Sequence, residues 1–154
     1  VDGSQDDGFC FSADGKYFYN VERQNSPTNS AISVYDTKNF ERIAIFCDKD
    51  DRTEPKHIEV CIDGVTYVLG FLRGDKGVMS DGFAAKLGEK GLEDIRKISR
   101  EDYDFHFNFK QLEKYVFTEK SKEWSGFRYN NVDMTGMENT VHPLSELWEK
   151  YKTV

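Results

Sequence analysis

The chain has 154 residues, of which 38% are hydrophobic and 14% aromatic, and its formal net charge at pH 7 is −7. This length suits a single domain, and the acidic balance argues against a nucleic-acid partner, because phosphate binding requires an excess of Lys and Arg on one face. The sequence contains no apolar run long enough to span a bilayer.

Three cysteines, Cys10, Cys47 and Cys61, are an odd number without C-x-x-C spacing. They argue against a disulfide framework and favour a reducing, cytoplasmic compartment. No signal peptide is visible, and an exported form whose signal has been removed is the alternative.

The clearest pattern in the chain is internal repetition. One segment reads FCFSADGKYFY from residue 9, a second reads IEVCIDGVTYV from residue 58, and a third reads FHFNF from residue 105 with YVFT at 115. The first two carry Asp-Gly turns, Asp14-Gly15 and Asp63-Gly64, at a separation of 49 residues. Asp-Gly between alternating runs indicates a hairpin and predicts a positive φ at both turn positions.

A second landmark, an apolar residue followed by Glu, recurs at 40/41, 92/93 and 137/138. Together the two landmarks predict three copies of a four-stranded unit. The expected strands are 8–12, 16–22, 31–35 and 42–46 in the first copy, 58–62, 66–72, 82–87 and 94–98 in the second, and 103–109, 115–118, 126–132 and a fourth without clear bounds in the third.

The stretch FSADGKYFY followed by ISVYD resembles a blade of the WD-repeat-like or YVTN-type β-propellers. The Trp-Asp and Gly-His pairs of the full WD signature are absent, which leaves the subfamily open. The resemblance implies an all-β fold of three four-stranded antiparallel meander sheets, as blades at about 8–47, 56–99 and 102–142. Three blades do not close a ring, since propellers usually have four to eight. We therefore expect half of a larger or dimeric propeller, with a two-sheet β-sandwich as the alternative.

The C-terminal segment, about 143–152, has its own periodicity. Leu144, Leu147, Trp148 and Tyr151 follow helical spacing. This predicts a short amphipathic helix, with a fourth blade strand as the alternative.

Long polar loops on one rim of such blades provide candidate binding residues. Trp124 is a candidate anchor for a binding partner, with a ring folded onto the neighbouring blade as the alternative. Arg73-Gly-Asp75 matches an adhesion tripeptide. The alternative for the whole rim is a set of solvated connections. The candidate residues are Arg23, His57, Arg73, Asp75, Arg100 and Trp124.

No catalytic motif is evident. The chain lacks a G-x-S-x-G elbow and a phosphate-binding glycine loop, and its histidines lack ligand spacing. We therefore expect no catalytic residues, no cofactor and no metal. In repeat register His106 falls opposite Glu59 and Cys10, so a Cys/His/Glu site is an alternative to ordinary packing.

These patterns favour a non-enzymatic protein-binding, ligand-binding or assembly module that uses the loop rim or self-associates through open blade edges. One alternative is a propeller-type hydrolase or lyase, with Arg73, His57 and Arg100 near a central opening. Another is a fragment of a longer propeller protein.

Overall fold

A computed structural model describes residues 6–23, 30–47, 52–74, 79–107 and 143–151. These residues form two four-stranded antiparallel sheets and two short helices. The predicted all-β character is confirmed at this level. The described part of the chain contains two sheets rather than three, and residues 108–142 of the third predicted unit lie outside it.

Both sheets are meanders in which consecutive strands pair. The eight strands predicted in the first two copies are all present, although β5 begins five residues earlier than expected. Sheet 1 comprises β1 (Asp6–Phe11), β2 (Tyr17–Arg23), β3 (Ser30–Asp36) and β4 (Arg42–Phe46). Sheet 2 comprises β5 (Thr53–Val60), β6 (Thr66–Arg73), β7 (Met79–Gly88) and β8 (Gly91–Ile98).

The repeated Asp-Gly turns share one local geometry. Gly15 and Gly64 have φ of 72° and 79°, but the preceding aspartates do not have positive φ, so the prediction of positive φ at both positions is wrong. Each aspartate carboxylate instead accepts the backbone N–H two residues ahead, at 3.0 Å for Asp14 and 2.9 Å for Asp63. This side-chain bond closes the turn in place of a left-handed aspartate.

The molecule has three layers. Val21 and Ile32 on the inner face of sheet 1 pack with Ile58, Val68 and Phe83 on the inner face of sheet 2. Two helices, α1 (100–107) and α2 (Leu144–Lys150), cover the opposite face of sheet 2. The core between them is built from buried apolar side chains, namely Tyr67, Leu69, Ala84, Ile98, Tyr103, Leu144, Leu147 and Trp148.

Residues 100–107 are helical, so the predicted strand at 103–109 is wrong. Ser99 caps this helix, since its Oγ accepts the N–H of Asp102 at 3.1 Å. Tyr103 and His106 are buried at helical spacing, whereas Phe105 is 63% exposed. Tertiary contact therefore overrides the alternating pattern FHFNF, which indicated a strand.

The C-terminal helix is confirmed. Helix α2 buries Leu144, Leu147 and Trp148 against sheet 2, as the spacing predicts. None of the helices in the described parts of the chain is long and apolar enough to cross a membrane.

The two sheets are closest along one edge and open along the other. Strand β5 lies against β1, and also contacts β2 and β3. Two cavities of about 550 and 420 Å³ lie between β4 and the β7–β8 hairpin, and Phe46 lines both. The first also reaches Thr53 and Pro55 at the start of β5. The packing is thus a wedge that opens toward the last strand of each sheet.

Candidate binding surfaces

Within the described ranges, an aromatic patch lies on the outer face of sheet 1, formed by Phe9, Phe11, Phe18 and Phe40. Phe9 and Phe11 on β1 lie opposite Asn20 and Phe18 on β2. The ring of Phe18 contacts those of Phe9 at 5.7 Å, Phe11 at 5.2 Å and Phe40 at 6.1 Å between centroids. Phe9, Phe11 and Phe40 are nevertheless 57%, 50% and 57% exposed. Exposed rings in mutual contact are typical of interaction sites.

Phe40 reaches the patch from a strained position. Its φ is 54°, a left-handed conformation that is unfavourable for a residue with a Cβ atom. The backbone N–H of Phe40 donates to the Asp36 carbonyl at 2.7 Å, which closes the β3–β4 turn. The turn therefore presents the ring at the expense of backbone strain.

A buried carboxylate lies on the same face of sheet 1. Glu22 is fully buried and accepts hydrogen bonds from Tyr35 Oη at 2.6 Å, Ser33 Oγ at 2.9 Å and Asn20 Nδ2 at 3.0 Å. Burial raises the pKa of Glu22, but these donors outweigh it and the pKa is lower than usual. Burial and the bond to Glu22 raise the pKa of Tyr35 to about 12. The polar groups on this face are thus satisfied within the chain.

Three of the predicted binding residues are engaged within the chain. His57 Nε2 lies 3.2 Å from Glu59 Oε1, and Arg73 Nη2 lies 3.4 Å from Glu54 Oε2. Arg100 Nε pairs with Asp104 in the same helix at 3.0 Å.

For the other three predicted residues, a binding role stays a prediction. Arg23 is the last residue of β2, and its backbone pairs with Ser30 of β3. Asp75 and Trp124 lie outside the described residues.

A polar cluster forms where α1 meets β5. His106 Nε2 is 3.8 Å from Glu59 Oε1, the same oxygen that His57 contacts. His106 is only 5% exposed, and its Nε2 has no hydrogen-bond partner. His106 and Glu59 are therefore close, but the strand register that led to this prediction is wrong, since His106 lies on a helix.

The cysteines near this cluster are not activated. All three cysteines of the chain are free. Burial, with a smaller contribution from Glu59, raises the pKa of Cys10 to about 12, and burial also raises the pKa of Cys61. A protonated thiol is a poor nucleophile. In the described ranges, no three His, Cys, Asp or Glu side chains are arranged to hold a metal ion.

No protein-family model matches the chain, and no curated protein matches it at a significant level.

The aromatic patch was not predicted from the sequence, although the alternation along β1 indicates it. Phe9 and Phe11 alternate with Cys10, so both rings must share one face of β1, while Cys10 packs toward sheet 2. An alternating strand with aromatics on one face and small residues on the other has two apolar faces.

Proposed function

We propose that this chain is a non-enzymatic assembly module, and that the aromatic patch is its contact surface for a further β-sheet. The observation that carries the proposal is the group of exposed aromatic rings on the outer face of sheet 1, beside the buried Glu22 cluster. Helices α1 and α2 bury the outer face of sheet 2, whereas Phe9, Phe11 and Phe40 remain at least half exposed on sheet 1. Monomeric proteins rarely leave contiguous apolar patches of this kind in water.

The partner that best suits this face is another sheet of the propeller-blade type. The contact between sheets 1 and 2 supports this, because it is tight along β1 and β5 and open along β4, as in blades that converge on an axis. A flat pair of strands carrying aromatic rings is complemented by a second flat face.

A hydrolase or lyase has less support. Its expected residues, Arg73, His57 and Arg100, each contact an acidic side chain of this chain and belong to three separate pairs. Catalysis requires reactive groups that converge on one point.

Hydroxyl-radical footprinting of the purified chain tests the proposal. Oxidation of Phe9, Phe11 and Phe40 should be strong in dilute solution and should fall as the concentration rises, while Phe105 on α1 should be labelled equally throughout. Equal labelling of all four rings at every concentration, together with a monomeric mass, would contradict the proposal.

A further inference from the structure

We infer that strand β4 is an interaction edge, at which a second copy of this chain pairs through its own β4, antiparallel and around a two-fold axis at Ile45. The inference goes beyond the proposed function, because the contact is made by backbone hydrogen bonds at a sheet edge and not by the aromatic patch.

Strand β4 is the outer edge of sheet 1 among the described strands. It pairs with β3 alone, whereas β1, at the other edge of the sheet, lies against β5. The exposed fractions of Ile43 and Ile45 on β4 are 54% and 41%. An exposed edge strand presents backbone N–H and C=O groups with which an incoming strand can pair.

The last strands of the two sheets differ in how their edges are protected. Strand β8 carries four charged side chains, and its backbone is left-handed at Asp94, with a φ of 48°. Charges and local irregularities of this kind discourage a further strand from pairing. Residues 43–46 of β4 read Ile-Ala-Ile-Phe and contain no charge, proline or glycine. Strand β4 therefore lacks the protection that β8 has.

The sequence around β4 complements itself when two copies run antiparallel. Glu41 and Arg42 precede its apolar residues, and Asp48 and Lys49 follow them. With Ile45 of one copy opposite Ile45 of the other, Arg42 of each chain comes opposite Asp48, and Glu41 comes opposite Lys49. Opposite charges facing each other across adjacent strands stabilise their pairing, and like charges destabilise it. The order of the charges therefore favours a second copy in this orientation.

This register also matches the two faces of the sheet. Ala44 comes opposite Phe46, and both are half-buried, while Ile43 comes opposite Cys47, and both are exposed. A shift by one residue would bring exposed positions opposite half-buried ones. Pairing in this register joins two four-stranded sheets into one of eight strands. Because each copy contributes the same residues, the contact closes after two chains.

Sedimentation velocity of the full chain, from low micromolar to several hundred micromolar, tests the inference. About 150 mM salt screens the repulsion between two acidic chains, and the wild type should show monomer and dimer in equilibrium. Ile45→Lys should raise the dimer dissociation constant by about 10-fold or more, because it places two lysines opposite each other at the axis. Ile95→Lys is the matched control, since Ile95 on β8 is also 41% exposed, and it should leave the constant unchanged.

A charge exchange tests the register. Glu41→Lys should weaken the dimer by about 10-fold, because it turns two attractive pairs into repulsive ones. Adding Lys49→Glu should restore the wild-type constant, since each pair is again of opposite charge. Far-ultraviolet circular dichroism of every variant checks that the fold is retained. A double variant as weak as Glu41→Lys alone would overturn the inferred pairing.

The outcome also separates this inference from the proposed function. Phe11→Ser, which alters the aromatic patch, should leave the dimer formed through β4 unchanged. A dimer that is lost in Phe11→Ser but persists in Ile45→Lys would overturn the inference and support the proposed function. A wild-type chain that stays monomeric over the whole range, or equal effects of Ile45→Lys and Ile95→Lys, would also overturn the inference.

Discussion

Arg96 lies flat on the indole of Trp148, with its guanidinium carbon 3.3 Å from the ring centroid. The same guanidinium donates to the carbonyls of Trp148 and Tyr151 at 2.9 and 2.6 Å. Trp148 Nε1 in turn donates to the Asp94 carbonyl at 3.0 Å. One side chain on β8 thus holds the C-terminal end of α2 against sheet 2, in addition to the apolar contacts beneath it.

Replacement of Trp148 by Ala should lower the free energy of unfolding by about 3–5 kcal/mol, because it leaves a large cavity and removes the stacking partner of Arg96. Urea denaturation followed by far-ultraviolet circular dichroism measures this. Glu149→Ala, at the exposed neighbouring position, is the matched control and should change the value by less than about 0.5 kcal/mol. A Trp148→Ala variant as stable as this control would contradict the packing described for α2.

Two glycines in sheet strands should respond differently to alanine. A Cβ atom at Gly70 would lie 2.2 Å from the Glu54 carbonyl oxygen and 2.6 Å from the Phe83 ring, whereas at Gly8 the nearest atom would be 3.5 Å away. Gly70→Ala should therefore destabilise the chain by about 1–3 kcal/mol or more. Gly8→Ala should be neutral or slightly stabilising, because it restricts the unfolded chain. Thermal melts of the two variants in parallel test this, and equal melting temperatures would contradict it.

Glu22 predicts a specific dependence of stability on pH. Its pKa in the folded chain is below the ordinary value of 4.5, so its stabilising contribution is present above that value and is lost as the pH falls through the folded pKa. The wild type should therefore lose more stability than Glu22→Gln between pH 5 and about pH 3. Urea midpoints at several pH values measure the difference, with Glu41→Gln, at an exposed position, as the control. Parallel curves for the wild type and Glu22→Gln would contradict the assignment.

The three thiols should differ in reactivity with a chromogenic disulfide reagent at neutral pH. Burial raises the pKa of all three thiols, that of Cys10 to about 12, but Cys47 is exposed whereas Cys10 is half-buried and Cys61 is buried. One thiol should therefore react readily and two only after denaturation. Cys47→Ser should remove the fast phase. A fast phase that persists in this variant would show that Cys10 or Cys61 is accessible.

Local chemistry made the two sheets predictable. Asp14-Gly15 and Asp63-Gly64 fix their hairpins through contacts within three residues, and the strands on either side alternate. The Asp-Gly pattern did not predict that only the glycine has a positive φ. An Asp-Gly pair occurs in more than one type of turn, and these types differ in the φ of the aspartate.

Helix α1 was not predictable from alternation, because its register depends on distant contacts. The ring of Tyr103 packs at a tilt against that of Phe71, 4.2 Å between centroids, and Asp102 pairs with Lys150 of α2 at 2.8 Å. Neither partner is near in sequence. The capping signal at Ser99, with Asp102 three residues later, was available and is the local feature that favours a helix.

The strained backbone at Phe40 has a consequence for how this sequence can change. A left-handed conformation costs a residue with a Cβ atom about 1–2 kcal/mol relative to glycine, so glycine would make the β3–β4 turn more stable. Glycine would also delete the ring that completes the aromatic contacts of Phe18. At this one position, glycine favours the stability of the turn and phenylalanine favours the aromatic surface. A sequence optimised only for the stability of the folded chain would not retain phenylalanine there.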